Sequence, residues 1–247
     1  MRERVADDVR SEQKVWAKRD SLEFFQTHRQ KPADMYPSER FFLPEILPSV
    51  NSVLDIGCAA GGFSQIMKSF NPDVVYTGVD VTPEFIEIAS RKFPESRFIL
   101  GDGIHFQTPP NSFQLVYSTG ILHLNSRWRD IVRSAYEQAE RWLLCDFRLT
   151  AGPSVAGTMR VEFDGQTSDA VLPYFVVNIQ EMLKFLESLW PAATLIRARG
   201  YYHAAAGTAV LPLSRVLMAF FLIEKGSVGN ANTRLELDLP SDEEESK

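Results

Sequence analysis

The chain has 247 residues, is 45% hydrophobic and 23% charged, and carries a formal net charge of -6. That length suits one large domain or two small ones, and the acidity disfavours a sequence-independent nucleic-acid binder, whose affinity rests on Lys and Arg at phosphates. Two cysteines, Cys58 and Cys145, exclude a disulfide framework; no Cys/His cluster has zinc spacing, no run is long enough to span a bilayer, and the first residues lack an apolar signal core, so a reduced, cytoplasmic protein without a metal is expected.

Residues 11–31 predict a helix, with Trp16, Leu22, Phe24 and Phe25 at apolar positions and Lys14, Lys18, Arg19 and Arg29 supplying charge. A solvated face explains that charge better than a site for an anion. Pro32, Pro37, Pro44 and Pro48 then punctuate what reads as a connector around Arg40-Phe-Phe-Leu43. From residue 52 strands and helices alternate. A strand over 52–56 precedes a helix over 63–70, and a strand over 74–79 precedes a helix opened by Thr82-Pro83-Glu84, a hydroxyl N-cap, a first-turn proline and an acid facing the dipole. Short strands follow at 97–100 and 113–117. Trp128, Ile131, Val132, Ala135, Tyr136, Ala139 and Trp142 keep helical spacing, and a strand over 143–147 comes next.

Residues 148–178 interrupt this rhythm with Gly152-Pro153, an Asp164-Gly165 turn suited to a hairpin, and the apolar run Tyr174-Phe-Val-Val177. The segment is too long for an ordinary crossover and reads as a lid or an inserted hairpin. Asn178 and Glu181 have the spacing of a capping pair for a helix over 179–189, and strands near 194–200 and 215–224 close the domain. The expected fold is α/β and Rossmann-like: a seven-stranded, mostly parallel sheet with helices on both faces and an antiparallel last strand. Residues 1–50 form a helical cap, 51–230 the ligand-binding domain with its insert, and 231–247 an acidic, disordered tail. Nothing in the sequence specifies an oligomeric state.

Val53-Leu-Asp-Ile-Gly-Cys-Ala-Ala-Gly-Gly62 has the form of a strand that stops at a glycine loop and starts a helix, where an α/β protein brings its backbone against a nucleotide-like ligand. Three acids, Asp55, Asp80 and Asp102, fall at strand ends, which line one edge of a parallel sheet. Asp80 lies about 20 residues past the glycines, the distance at which an acid accepts from a ribose diol, although a helix cap would also use it. Asp102 is placed to accept from an exocyclic amine, or to serve as a turn aspartate beside Gly103. The loop lacks the G-x-G-x-x-G frame because Ala59 replaces the second glycine, and no Lys-Ser/Thr follows it, so a ligand without pyrophosphate is indicated and a nicotinamide-dependent dehydrogenase is disfavoured.

These residues resemble the class I S-adenosylmethionine-dependent methyltransferases. Val53-Leu-Asp-Ile-Gly-Cys-Ala-Ala-Gly61 looks like the family's first motif, Val79-Asp80-Val81 its ribose-binding strand, Gly101-Asp102-Gly103-Ile104 its adenine-binding segment, and Phe113-Gln-Leu-Val-Tyr-Ser-Thr-Gly-Ile-Leu-His123 its fourth strand and loop. The four motifs stand in family order within roughly residues 50 to 225. The resemblance implies S-adenosylmethionine as cofactor and S-adenosylhomocysteine as product. Gly57, Cys58, Ala59 and Gly61 would pack against the methionine part, with Asp55 ordering the loop or meeting the amino group. Asp80 would hold the ribose, Val81 and Ile104 would sandwich the adenine, Gly103 would also meet the cofactor, Asp102 would accept from the adenine's amino nitrogen, and the backbone near Ser118 and Thr119 would reach the amino-acid end. Two positions depart from the family: Ala59, acceptable at negative φ, and Gln114, where an Asp is common.

Methyl transfer from a sulfonium needs alignment and exclusion of water, and a base only where the acceptor must lose a proton. His123, after the fourth strand, is the candidate base; packing against the helix that begins near Ser126 is the other reading. His105 reads as cofactor lining. Asp146 and Arg148 bind a polar acceptor or pair with each other, Tyr202 and His203 border the acceptor pocket or belong to an aromatic cluster with Tyr201, and Tyr174 and Phe175 cover the site or fill the core. Cys58 has no basic neighbour and reads as a small loop residue. The expected function is methyl transfer to a small-molecule acceptor at oxygen, nitrogen or carbon; the alternative is a non-catalytic cofactor-binding scaffold.

Overall fold

The computed structural model describes residues 15–163, 166–229 and 232–240. Helix α1 spans Arg19–Thr27, shorter than the sequence predicts, because Arg29 turns the chain at φ 59; residues 11–14 of the predicted helix lie outside the described residues. The predicted connector is instead largely helix α2, Pro37–Ile46. Pro37 stands at its first position, where no N–H is needed. Pro44 lies inside it, a misfit of about 3 kcal/mol. Burying Phe42, Leu43 and Ile46, at about 1.5–3 kcal/mol each, outweighs that misfit, so packing overrides the local proline signal.

The alternating region forms β1 (Ser52–Ile56), α3 (Gly62–Phe70), β2 (Val75–Asp80), α4 (Pro83–Lys92), β3 (Arg97–Leu100), β4 (Phe113–Ser118), α5 (Trp128–Gln138) and β5 (Ala139–Thr150). Strand β6 (Val155–Phe163) and β7 (Gln166–Asn178) follow, then α6 (Ile179–Glu187), β8 (Ala193–Ala204), the two-residue β9 (Ala209–Val210), β10 (Arg215–Lys225) and β11 (Arg234–Asp238). The main sheet runs β11-β8-β10-β5-β4-β1-β2-β3. Strands β1 to β5 are mutually parallel, and β10 runs antiparallel to both β5 and β8. The expected α/β class and mostly parallel sheet are therefore present.

Adjacent strand residues supply opposite faces, as the period of two requires. Leu54, Val116, Leu143 and Phe221 meet Ile131, Tyr136, Met182 and Leu186 on one side. Val53, Leu115, Leu144 and Phe220 meet Phe42, Leu43, Phe63 and Ile66 on the other. The chain leaves β1 toward β2 and β3, then returns to β4 on the far side of β1. This reversal opens a crevice at the carboxyl ends of β1 and β4.

Strand β5 continues through Arg148 to Thr150, so the insert begins later than the sequence predicts; β6 and β7 pair antiparallel as a hairpin whose end adds in parallel to β5 at Leu149 and Thr150. The predicted Asp164-Gly165 turn lies outside the described residues. Asn178 Oδ1 caps α6, accepting from the N–H groups of Gln180 and Glu181. The reciprocal half of the predicted pair is absent, because Glu181 binds Arg129 and Ser154 while Ser154 Oγ accepts from Asn178 N–H. Within the segment read as a tail, β11 pairs parallel to β8: Arg197 and Arg199 reach Glu236 and Asp238, so those acids have partners within the sheet. Residues 241–247 lie outside the described residues.

Candidate active site

The loop after β1 is shaped by left-handed backbone at Gly57 (φ 85) and Gly61 (φ 79). A Cβ on Gly57 would stand 2.7 Å from Ile121 Cγ2, so the loops after β1 and β4 approach as closely as they do only because the side chain is missing. Ala59 also takes positive φ, 45°, contrary to the negative φ expected for it. Its N–H donates to Asp80 Oδ2 at 2.9 Å, and that bond together with the two flanking glycines fixes it in the left-handed region.

Asp55, Asp80 and Asp102 face one cavity of about 770 Å³ at the carboxyl edge of the sheet. Burial pushes the Asp55 carboxyl up to about 7, against the Tyr76 hydroxyl that donates to it and with the Asp80 charge adding to the rise. Burial also raises Asp80, although Thr82 and Ala59 N–H groups donate to its two oxygens and oppose the shift. Asp102 is desolvated too, but donors from His105 and Ile104 outweigh this and hold it below its ordinary value.

A second ionisable group lies where β4, β5 and β7 converge. His123 follows β4 in a single 3-10 turn, Leu122–Leu124, and is buried edge-on against Tyr174, with ring centroids 5.2 Å apart. Burial first, and the Arg148 charge second, lower its pKa well below the ordinary imidazole value. Arg148 Nη1 donates to Asp146 Oδ2 at 2.6 Å, and Gly120 N–H donates to Asp146 Oδ1 at 2.7 Å. Both His123 and Arg148 line the cavity. Asp146 is fully buried, tying the loop after β4 to Arg148.

Residues 53–143 match a family model described as a methyltransferase domain. This stretch, 91 of the 247 residues, is similar to a methyltransferase domain. Among curated proteins it is 34% identical over 76 residues to the trans-aconitate 2-methyltransferase of Enterobacter sp. (strain 638), covering 31% of this chain and 30% of that one. It is 32% identical over 78 residues to the 2-methyl-6-phytyl-1,4-hydroquinone methyltransferase of Synechocystis sp., covering 30% and 24%. The chain thus spans less than a third of either relative's length. Among solved structures it resembles the Burkholderia thailandensis 1,6-didemethyltoxoflavin-N1-methyltransferase, with bound 1,6-didemethyltoxoflavin and S-adenosylhomocysteine, at TM-score 0.59 and 14% identity over 91% of this chain and 90% of that one. At that identity the likeness establishes the fold alone.

The cavity is lined by Asp55, Gly57, Cys58, Ala59, Asp80, Val81, Asp102, Gly103, Thr119, His123 and Arg148. Gly61 shapes the loop from behind. Ile104 packs on the core, its carbonyl accepting from Ser134 Oγ, and Ser118 is buried and does not line the cavity. Tyr174 backs His123 and Arg148 rather than lining the cavity. Tyr202 lines a separate depression of about 250 Å³ with Leu149 and Arg215, and His203 bonds its own neighbour, Ala204, through Nδ1. His105 is exposed and serves Asp102. Gln114, where the family often has an acid, accepts from Asn51 N–H through Oε1 and donates its N–H to Ser52 Oγ, at the end of the sheet opposite the cavity. Burial and the Asp80 and Asp55 charges push the Cys58 thiol well up, consistent with a loop residue that is no nucleophile. Among the described residues no group of three or more His, Cys, Asp or Glu is placed to hold a metal, and no helix is long and apolar enough to cross a membrane.

The sequence does not single out the polar cluster that the N-terminal segment brings to the cavity. Arg29 Nη2 donates to the fully buried Glu39 at 2.6 Å, Tyr117 Oη donates to the same oxygen at 2.5 Å, and Tyr36 N–H donates to the other at 2.6 Å. The Arg29 guanidinium lies 4.2 Å from the Tyr36 ring centroid and 4.6 Å from that of Phe63. Burial opposes the charge on Arg29, but Tyr117 and Glu39 hold its pKa above the ordinary value. Glu39 sits between Ser38 and Arg40 just before Phe41-Phe-Leu43, so nothing local marks it as a buried acid in need of a partner.

Proposed function

We propose that this protein is an S-adenosylmethionine-dependent methyltransferase that acts on a small molecule at oxygen, nitrogen or carbon. The observation that carries the reading is one cavity lined by acids at the sheet edge and, on the side of the N-terminal segment, by Trp16, Phe24 and Phe25 together with polar residues such as Arg29 and Lys31. The donor set fits the cofactor. Three acids suit hydroxyls, an amine and an ammonium group and would repel a pyrophosphate, and the glycine loop leaves room where a Cβ would intrude. When bound, S-adenosylmethionine supplies a methyl group activated by a sulfonium. Asp80 holds the ribose hydroxyls and keeps the loop in register through Ala59. Val81 covers one adenine face, Asp102 accepts from the adenine amine, and Ile104 backs that pocket from the core. The loop from Gly57 to Gly61, Asp55 and the backbone at Thr119 position the amino-acid end.

The chain's remaining task is alignment and dryness. Trp16, Phe24 and Phe25 close the cavity from the cap, and Met159 and Val161 close it from the hairpin, leaving an in-line approach from the half opposite the acids. A scaffold that only held cofactor would have no use for this second half. The names of the curated relatives, trans-aconitate and a hydroquinone, support a small acceptor. The test is incubation with methyl-labelled S-adenosylmethionine and a low-molecular-mass cell extract. Label should pass into a small-molecule fraction in a time- and enzyme-dependent way; label confined to the donor, by a protein that binds it, would favour the scaffold.

A further inference from the structure

Two buried polar side chains that face the cavity each leave an atom without a hydrogen-bond partner. His123 is 7% exposed and its Nδ1 has none; Arg148 is 8% exposed and its Nε has none. Leaving such atoms bare in a dry site is costly, and a native structure normally satisfies them with protein, water or ligand. Both belong to the cavity wall, and they come from different elements, the turn after β4 and strand β5. Their surroundings fix them in place. Asp146 holds Arg148 Nη1, Tyr174 packs on His123 and hydrogen-bonds Arg148, and Asp146 also holds Gly120 in the turn before His123.

Apolar side chains stand around this pair, and polar ones from the N-terminal segment, Arg29, Lys31 and Asp34 among them, line the cavity elsewhere. Trp16, Phe24, Phe25, Leu124, Met159 and Val161 line it, with Phe24 and Phe25 edge to face at 5.2 Å. Glu162 also lines the cavity but is exposed to solvent. Arg29 is paired with Glu39, so among the described cations that line the cavity Arg148 is the one with a buried N–H left unbonded.

We infer that the methyl acceptor is an apolar-bodied anion whose charged oxygen, carboxylate or ionised phenol, is received by Arg148 and His123. The inference rests on the methyltransferase reading and names the acceptor class within it. A guanidinium with a free N–H favours an anionic oxygen over a neutral one through a charge-assisted bond. The chemistry is consistent. Burial and Arg148 make His123 a poor proton acceptor, so the site suits an acceptor that arrives already ionised. Transfer then forms a bond from that oxygen to the methyl carbon as the methyl–sulfur bond breaks. The bonding pair stays on sulfur, the anion and the sulfonium neutralise each other, and no proton has to leave.

The test is calorimetry on the full chain, with and without saturating S-adenosylhomocysteine. Two pairs of probes are used at pH 8: cinnamate against cinnamamide, and 4-nitrophenolate against 4-nitroanisole. At least one anion should bind about tenfold or more tightly than its neutral counterpart, and the arm that shows this identifies carboxylate or phenolate as the source. The preference should fall below about twofold in Arg148→Met and shrink in His123→Phe. Because Arg148→Met leaves Asp146 buried beside an uncharged chain, Asp146→Asn/Arg148→Met is run beside it, with circular dichroism to confirm the fold. No preference for either anion, including no binding of any probe, overturns the inference, and so does a preference that survives the double variant. Failure of S-adenosylhomocysteine itself to bind would sink the underlying methyltransferase reading; its binding without an anion preference would sink only the acceptor class.

Discussion

Asp55 and Asp80 show how one strand edge sets two different carboxylates. Asp55 is sealed in with Tyr76, and its folded pKa of about 7 lies above the ordinary 3.8. A raised carboxyl retains its proton in the folded state, so its contribution to stability is full below the unfolded value and is lost as pH rises through about 7. Asp55→Asn should therefore lose less stability than the wild type between pH 4.5 and 8, by about 1–4 kcal/mol in urea titrations at the two pH values. Asp80 is raised in the same direction but uses both oxygens on backbone donors, so it holds the loop as well as facing the cavity. Asp80→Asn should keep the fold by circular dichroism and weaken S-adenosylhomocysteine binding about tenfold or more. Ala59 bears the opposite kind of cost. Its φ of 45° is a position where an L side chain is disfavoured by about 1–2 kcal/mol. Ala59→Gly should raise stability by about 0.5–1 kcal/mol after glycine's own entropy is counted. The expectation of negative φ came from the residue type alone; the sequence does not show that the bond to Asp80 and the glycines on either side force the turn.

At the scale of elements, local signals were legible wherever propensity and packing agreed. Thr82-Pro83-Glu84 does open α4, and the apolar period from Trp128 to Tyr136 matches the buried face of α5, but the period predicted through Ala139 and Trp142 overruns the helix, because both residues belong to β5. Such signals failed where packing won, as at Pro44 within α2, or where a partner strand lay far away in sequence, as for β11 on β8. The end of α5 depends on such a distant partner. Lys225, from β10, donates to Asn111 Oδ1 at 2.7 Å and to the carbonyls of Tyr136, Glu137 and Ala139 at 2.7, 3.1 and 2.8 Å. It satisfies helix-end carbonyls with a positive charge at the negative end of the dipole. Lys225→Met should cost about 1–3 kcal/mol in chemical unfolding while leaving cofactor affinity within about twofold, because it lies away from the cavity. Gly62 sets the other long-range contact. A Cβ there would stand 2.5 Å from the Arg29 carbonyl oxygen, so the cap rests on the first turn of α3. Gly62→Ala should loosen the cap, seen as faster proteolysis near residues 19–29, with the sheet retained.

For the whole molecule, the donor half of the cavity was legible because its residues are contiguous motifs at strand ends, each with a type that the backbone or ligand dictates. The acceptor half was not, because it is assembled from α1, the turn after β4, β5 and β6, whose aromatic and apolar residues have the same composition as core. His123 and Arg148 are each singled out by position, one as a base and the other with Asp146, but their meeting and their buried, partly unsatisfied state depend on β7 and on Asp146, contacts that no local pattern announces. The cap and the sheet edge together make one site only if a single ligand with adenosine and amino-acid ends occupies the acid-lined half. Calorimetric titration of the full chain with S-adenosylmethionine and with S-adenosylhomocysteine measures this directly. The account predicts saturable one-to-one binding of both, with Kd of about 1–100 μM, weakened about tenfold or more by Asp80→Asn; no heat of binding from either ligand at high micromolar concentration would contradict it.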